Sequence, residues 1–506
     1  MSHKVLADTF GKRFVTVGAL AVAAVIAVGF ACFPHLADDL HSAFCFWDTY
    51  DKGAPIEWGA YADNLSKILY HNHFRLPNLL MPFVILLPGW IVAASSGTVF
   101  AALCLMAARM GGFRAKPLAF ALFMLGMTVF YPWLDQLYLT SFQLPYIYGP
   151  ALALWLLRRL QTHRGNPWLT GMLAFTVGIW HEILGLPVLV TCAVMWLRYR
   201  RWRNAATAVS IAALTVGLAL LTWLFSFNVA RTSLIAFGLR STSILPFFVP
   251  MLVYLGLALA LRRRIGPRQF LLVTLTAASL LTCSYFLLAP RITALGNVCA
   301  LAGMCGLAAR HMRRTRAGVA AAALTLGIIA ANFAAADAVC LRINRDLADI
   351  LAKYRRDPSQ TVFAHIELSE DAPLWLLFKP TYFGWWAYKY GMWTIDRAYG
   401  LPGQPIRYVP EEMATFTPDR AVALGDSIYL YRGHMVGVES TPDWIVADYG
   451  MGPRNRKFIT VEFRSPVDGK TYLWLHPEQM WVDMRRWHYP VSARRSEAPA
   501  GFIYYR

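Results

Sequence analysis

Long apolar blocks alternate with short, mostly basic polar segments along the first two-thirds of the chain. A helix needs about 20 predominantly apolar residues to cross a bilayer, and most of these blocks approach that length. The pattern therefore predicts eleven membrane-spanning helices. Their predicted ranges are 14–33, 79–108, 117–133, 144–157, 168–181, 183–197, 205–229, 244–261, 269–289, 294–309 and 318–340.

The last third of the chain, from residue 341 to residue 506, follows a different pattern. It holds 21 basic and 19 acidic side chains and no apolar run long enough to span a membrane. Pro466-Val-Asp-Gly469 is typical of a hairpin turn between two strands. The pattern predicts an amphipathic helix at 344–356 and strands at 361–367, 427–431, 457–463, 471–475 and 502–505.

Together these patterns predict an α-helical polytopic membrane protein with a C-terminal α+β domain. The membrane domain would comprise residues 1–340, with a first outer loop at 34–78, and the α+β domain would comprise residues 341–506. Composition agrees, because hydrophobic residues make up 57% and charged residues 15% of the chain. Soluble domains contain roughly 45–50% and 25% of these classes.

The distribution of basic residues predicts the orientation. If the N-terminus is cytoplasmic, the inner loops hold 21 basic residues and the outer loops up to Cys340 hold 6. This asymmetry satisfies the positive-inside rule and, with an odd number of spans, makes the C-terminal domain extracytoplasmic. The net charge of +19 is then explained by topology and by attraction to anionic membrane lipids, so we predict no nucleic-acid partner.

Acidic residues are rare in the membrane domain and concentrate beside the first span. Asp38 and Asp39 follow that span closely, whereas Asp135 and Glu182 are the only acids between Asn64 and Ala336. Charged groups near the membrane interior are costly and usually face a cavity or a substrate path. We therefore interpret these carboxylates as functional; the alternative for the pair is a solvated loop.

A second group of polar residues is predicted at the same outer level of the membrane. The group comprises Asp135, Tyr146, the pair His181-Glu182, Arg75 and Arg291. A carboxylate can act as a general base, and guanidinium groups bind phosphate through two parallel hydrogen bonds. The pattern is thus typical of a site for a phosphate-bearing substrate, although lipid headgroups would equally attract the arginines.

Cysteine and histidine spacing indicates neither a disulfide framework nor a zinc site. Seven of the eight cysteines lie in or at the ends of predicted spans, and none follows Cys340. His71-Asn-His73 lies in a polar loop, where hydrogen bonding explains the pair at least as well as metal binding. We predict no metal and no cofactor.

The order of these features resembles the GT-C superfamily of polyprenyl-phosphate-sugar-dependent glycosyltransferases. Four short motifs resemble a largely uncharacterised bacterial branch of it: Ala37-Asp-Asp39, His73-Phe-Arg75, His181-Glu182 and Ala289-Pro-Arg291. The resemblance implies a bacterial cytoplasmic (inner) membrane and a first-loop acid, Asp38 or Asp39, that acts as base on the acceptor hydroxyl. The Trp-Trp-Asp motif of the oligosaccharyltransferase branch is missing, since Trp385-Trp386 precedes Ala387. Peptide-Asn acceptors and a required divalent metal therefore do not follow from it.

We expect a membrane glycosyltransferase that transfers a sugar from an undecaprenyl or decaprenyl phosphate to an extracytoplasmic glycan, lipid or protein. Arg75 and Arg291 would hold the donor phosphate, while Asp135, Tyr146, His181 and Glu182 would bind the sugar. The main alternative is a transporter or flippase of a lipid-linked or anionic solute. That alternative gives no reason for the first-loop carboxylates or for a 166-residue outer domain. A third reading, a scaffold that displays the C-terminal domain, leaves the intramembrane acids unexplained.

Overall fold

The computed structural model describes most of the first 356 residues and a set of strands near the C-terminus. The described ranges are 3–34, 39, 75–85, 87–133, 137–162, 166–226, 245–286, 290–313 and 315–356, with strand segments between 420 and 494. The described residues up to 346 belong to one compact unit, and the strands belong to a second. Asp38, Asp135 and the predicted strands at 361–367 and 502–505 lie outside the described residues.

The first unit is helical in its described part. Its helices are α1 His3–Cys32, α2 Leu76–Ile85, α3 Gly89–Gly111, α4 Pro117–Phe130, α5 Thr140–Gln143, α6 Gly149–Thr162, α7 Pro167–Trp180, α8 Glu182–Arg198, α9 Ala205–Ser226, α10 Leu245–Ala260, α11 Pro267–Phe286, α12 Ala294–Ala309 and α13 Arg316–Arg356. A π-helical turn, Leu144–Tyr148, joins α5 to α6, and short 3₁₀ turns occur at Arg200–Trp202, Arg262–Arg264 and Pro290–Thr293.

Each predicted span overlaps a helix, but the segment 79–108 is two helices. Pro88 separates α2 from α3, with its backbone at φ −51° and ψ 127°. Proline lacks an amide hydrogen and disfavours helical geometry in the residue before it, so one continuous helix does not form here. The predicted helix at 344–356 also differs, because α13 continues through it without a break after the apolar segment.

Five helices among the described residues are long and apolar enough to cross a membrane. They are Asp8–Cys32, Gly89–Gly111, Ala205–Trp223, Arg291–Ala309 and Arg316–Ala338. Large apolar side chains also face outward, including Trp168 at 77% exposure and Leu281 at 72%. An apolar exterior of this kind is what contact with lipid requires. These features indicate a membrane-embedded protein; the total of eleven spans stays a prediction.

Small residues let several helices approach one another closely. A Cβ atom on Gly178 of α7 would lie 2.9 Å from the Leu214 carbonyl oxygen of α9, and one on Gly217 of α9 would lie 2.9 Å from the Phe175 carbonyl oxygen of α7. Such contacts between backbones are typical of helix packing in membranes, where small residues allow the close van der Waals packing that drives association.

The basic loops of the first unit meet at one end of the helices. The Lys116 ammonium, before α4, donates a hydrogen bond to the Met312 carbonyl oxygen before α13 at 2.9 Å. Burial, followed by repulsion from Arg109 and Arg158, lowers the pKa of Arg114 in the loop between α3 and α4. Loops that are far apart in sequence thus concentrate positive charge on one side.

The strands of the second unit form two sheets. Their bounds are β1 Arg420–Leu424, β2 Ser427–Tyr431, β3 Gly437–Ser440, β4 Trp444–Asp448, β5 Phe458–Arg464, β6 Thr471–Pro477 and β7 Pro490–Arg494. One sheet has the order β1-β2-β6-β5, in which β2 and β6 are parallel, and the other has the order β3-β4-β7. β5 and β6 pair antiparallel, and the predicted hairpin turn at 466–469 lies outside the described residues. The assignment of 341–506 as an α+β domain stays a prediction.

Candidate functional site

The segment between α4 and α6 carries one wall of the candidate site. The Tyr131 hydroxyl donates a hydrogen bond to the Tyr146 carbonyl oxygen, and the Trp180 indole N–H donates to the Leu144 carbonyl oxygen at 3.2 Å. Residues 144–148 form a π-helical turn that begins at Leu144 and contains Pro145. Such turns occur frequently at functional sites, where they re-aim side chains.

Gln143 ties the same segment to α3. The Ser96 hydroxyl donates to the Gln143 side-chain oxygen at 2.6 Å, and the Gln143 amide donates to the Tyr138 carbonyl oxygen at 3.3 Å. Ser96 is fully buried and Gln143 is 2% exposed. Buried polar groups with satisfied hydrogen bonds make a segment rigid. The wall is therefore held by side chains as well as by its own backbone.

Asp39 anchors the start of this wall. Its two carboxylate oxygens accept hydrogen bonds from the backbone N–H groups of Thr140, at 3.1 Å, and Ser141, at 2.7 Å. Only 1% of the residue is exposed. Such bonds to a charged acceptor at a helix start are stronger than neutral ones. Asp39 is therefore a buried anchor, which overturns the solvated-loop interpretation for this residue.

His181 forms the junction between α7 and α8. Its backbone is extended, and its Nδ1 accepts a hydrogen bond from the Ile183 N–H at 3.3 Å, which caps α8. Its Nε2 lies 3.5 Å from the Tyr146 hydroxyl. A capping role explains why a polar residue stands between two apolar helices, since the first N–H groups of a helix need acceptors.

Arg75 and Glu182 form a two-pronged ion pair beside His181. Arg75 Nε lies 3.1 Å from Glu182 Oε2, and Arg75 Nη2 lies 2.5 Å from Glu182 Oε1. The side chains are 14% and 17% exposed, and His181 Nδ1 is 3.1 Å from Glu182 Oε2. Pairing with a guanidinium offsets the cost of burying a carboxylate near hydrocarbon. Glu182 also occupies the first position of α8, where the helix dipole favours negative charge.

Arg291 supplies a second positive charge at this site. Its guanidinium carbon lies 4.5 Å from the centroid of the Phe142 ring and 5.9 Å from that of Tyr146. These distances allow cation–π attraction, which holds a guanidinium without neutralising it. Tyr146 in turn lies 3.5 Å from His181, so Arg291 belongs to the same cluster as Arg75 and Glu182. The site therefore contains one carboxylate and two guanidinium groups.

The structure brings together most of the residues that the sequence singled out. Arg75, Tyr146, His181, Glu182 and Arg291 form one cluster, and Asp39 anchors the segment that carries Tyr146. Asp38 and Asp135 lie outside the described residues, so their predicted roles stay predictions. In the part of the chain that the structure describes, no group of three or more His, Cys, Asp or Glu side chains is arranged to hold a metal ion.

Two residues of interest were missed by the sequence analysis. Phe142 stands four positions before Tyr146, a helical spacing that identifies a shared face and was available in the sequence. Asp337 is a 5%-exposed acid in α13, inside the predicted span 318–340. Its position within an apolar block was the signal that marked it.

No protein family, curated protein or solved structure matches this chain. The residues themselves are therefore the basis for a functional assignment. Two guanidinium groups beside buried rings suit an anionic group with an apolar or sugar-like neighbour, because arginine binds phosphate and aromatic faces stack on other rings.

Proposed function

We propose that the protein is a glycosyltransferase that transfers a sugar from a polyprenyl-phosphate donor to an extracytoplasmic glycan, lipid or protein. The observation that carries the proposal is the pairing of Arg75 with Glu182 beside Arg291, at helix ends where α7 and α8 meet. A donor of this class presents a phosphodiester at the membrane surface and a sugar above it. The arginines match the phosphate, and the adjoining polar side chains match the sugar hydroxyls.

The roles divide between the two arginines. Arg291 lies over the rings of Phe142 and Tyr146, which hold its guanidinium without neutralising it, so we assign the donor phosphate to it. Arg75 is oriented by Glu182 through both prongs of its guanidinium, and its positive charge adds to the attraction of the same phosphate. Tyr146 and His181, which lie beside the two arginines, then bind sugar hydroxyls, with Asp135 assigned to the same task.

The reaction breaks one bond and forms one bond. The acceptor hydroxyl oxygen attacks the anomeric carbon of the donor, and the bond from that carbon to the phosphate oxygen breaks. Polyprenyl phosphate leaves with the bonding electron pair, and its charge is stabilised by Arg75 and Arg291. A first-loop carboxylate accepts the proton of the hydroxyl. A single displacement of this kind inverts the anomeric configuration.

The general base is Asp38 in this proposal, and Asp39 is a positioning residue. Asp39 is 1% exposed and already accepts hydrogen bonds from two backbone N–H groups. A base must come within hydrogen-bond reach of the proton that it removes. Asp38 is the other carboxylate of the first-loop pair, so we assign the role of base to it.

The proposed topology follows from the opposite placement of the two charge clusters. The basic loops around Lys116 and Arg114 meet at one end of the helices and would face the cytoplasm of a bacterium. The N-terminus would then be cytoplasmic, and the membrane domain would span the cytoplasmic (inner) membrane eleven times. The site and the α+β domain at 341–506 would both be extracytoplasmic.

A comparison of envelope glycans tests this function in the native host. Deletion should remove a sugar from one glycan or glycolipid, as measured by mass spectrometry, and the wild-type protein should restore it. Arg291→Lys should fail to restore it, because lysine keeps the charge but lacks the planar fork of donors. Arg109→Lys, at an exposed position in the last turn of α3, is the matched control and should restore it fully.

Two results would contradict the proposal. An unchanged glycan profile after deletion would remove the predicted activity. Accumulation of an intact lipid-linked sugar in the inner leaflet after deletion would instead favour the transporter.

A further inference from the structure

The helices α1 and α13 run parallel and contact each other at two glycines of α1, Gly18 and Gly29. A Cβ atom on Gly18 would lie 2.7 Å from Leu326 Cδ1, and one on Gly29 would overlap a carboxylate oxygen of Asp337. The two contacts are eleven residues apart on each helix, about three helical turns. One stripe of each helix therefore faces the other along this length, and Asp337 is placed near the C-terminal end of α1.

Asp337 is buried at this contact without compensating positive charge. It is 5% exposed, and its Oδ1 has no hydrogen-bond partner in the described part of the chain. Among the described residues, no lysine, arginine or histidine forms an ion pair with it. Its neighbours are the Tyr138 ring from the site wall, Cys32 from α1 and Cys340 from its own helix. Each of these groups can only add negative charge when it ionises.

An ionised carboxylate is unfavourable in free energy in these surroundings. Moving a charge away from water is unfavourable unless a partner offsets the lost hydration. Glu182 and Asp39 both have such partners, namely Arg75 and the backbone N–H groups of Thr140 and Ser141. Asp337 has no such partner among the described residues, so its protonated, neutral form has the lower free energy.

We propose that Asp337 is a proton-binding site at the α1–α13 contact, separate from the glycosyl-transfer site. The carboxyl group holds its proton while the two helices are packed. Loss of that proton leaves a charge that requires water at the contact, so the outer pH and the packing of α1 against α13 are coupled. Tyr138 connects this contact to the site wall, because its carbonyl oxygen accepts the hydrogen bond of Gln143.

Infrared difference spectroscopy on the full-length protein in nanodiscs tests the proposal. The wild-type minus Asp337→Asn spectrum should contain the C=O band of a protonated carboxylic acid at neutral pH. The band should disappear when the pH is raised and should not change when sodium is replaced by choline. A carboxylate band at neutral pH would overturn the proposal, as would a spectrum that depends on sodium at constant pH, which would indicate a metal-cation site.

A second measurement needs no variant and covers the case in which Asp337→Asn does not fold. Dicyclohexylcarbodiimide adds to protonated carboxyl groups in apolar surroundings and leaves a stable acylurea that mass spectrometry locates. Asp337 should be labelled at neutral pH, whereas Asp39 and Glu182 serve as internal controls and should not be. Labelling of either control without labelling of Asp337 would contradict the proposal. Neither experiment depends on glycosyl transfer, so it can succeed or fail independently of the proposed function.

Discussion

The Arg75–Glu182 pair supports the sharpest prediction, because two guanidinium nitrogens of Arg75 each lie within hydrogen-bond distance of a Glu182 carboxylate oxygen. Glu182→Gln keeps the shape of the side chain and removes its charge, and Arg75→Lys keeps the charge and removes the fork. If the two residues act as a unit, either change should disrupt the same two-pronged ion pair. The double variant should then be hardly worse than the more severe single variant.

The expected size of this coupling follows from the geometry. Hydrogen bonds that involve a charged group contribute about 1.5–3 kcal/mol each in buried settings. The side chains are 14% and 17% exposed, so part of that energy is lost to solvent. A coupling energy of about 1–3 kcal/mol is therefore expected between the two sites. The effect of the double variant on the rate of sugar transfer should therefore differ by about 5–150-fold from the product of the two single-variant effects.

The assay is a double-mutant cycle on purified protein in nanodiscs, with thermal unfolding and sugar transfer measured for all four proteins. Asp8→Asn is the matched control, because the Asp8–Lys12 pair is at 2.6 Å but half exposed. It should change stability by less than about 0.5 kcal/mol. Additive losses from Arg75→Lys and Glu182→Gln would refute the reasoning that the two residues form one unit.

Three further predictions concern the anchor, the helix packing and the topology. Asp39→Asn should lower the unfolding temperature, since one of two buried N–H groups loses its acceptor at a cost of about 1–3 kcal/mol. Asp38→Asn should leave that temperature unchanged and reduce transfer by about 10²–10⁴-fold, and equal thermal effects of the two variants would contradict the division of roles. Gly178→Ala should destabilise the protein by about 1–3 kcal/mol through overlap with the Leu214 carbonyl, whereas Gly256→Ala, with open space around it, should not; equal unfolding temperatures for the pair would disprove the packing argument. In a background without reactive thiols, an impermeant thiol reagent should label Ser369→Cys in spheroplasts but not Arg203→Cys, and the reverse pattern would place the C-terminal domain inside.

The helices were predictable because apolar blocks of membrane length have few alternative structures. The predicted spans at 117–133 and 294–309, for example, coincide closely with α4 and α12. The break at Pro88 was missed although the Pro-Gly pair was visible, because hydropathy alone does not register a lost backbone donor. The helix predicted at 344–356 is present, but its continuity with the span at 318–340 was missed, because the apolar pattern ends where the helix does not.

The candidate site was predictable in its members but not in its contacts. His181 and Glu182 were expected between two spans and do lie at the junction of α7 and α8. The bond from Arg75 to Glu182 joins residues that are 107 positions apart, and no local pattern specifies such a contact. The anchoring role of Asp39 likewise depends on backbone N–H groups about 100 positions away, which a sequence does not mark.

The measurement that tests the central claim most directly is release of polyprenyl phosphate by the purified protein. Wild-type protein in nanodiscs would receive a panel of polyprenyl-phosphate sugars together with envelope extract from the native host. The account predicts that one donor loses its sugar to an acceptor and that Glu182→Gln, although folded, releases far less polyprenyl phosphate. Movement of intact donors across the bilayer, with no cleavage of the sugar–phosphate bond for any donor, would contradict it.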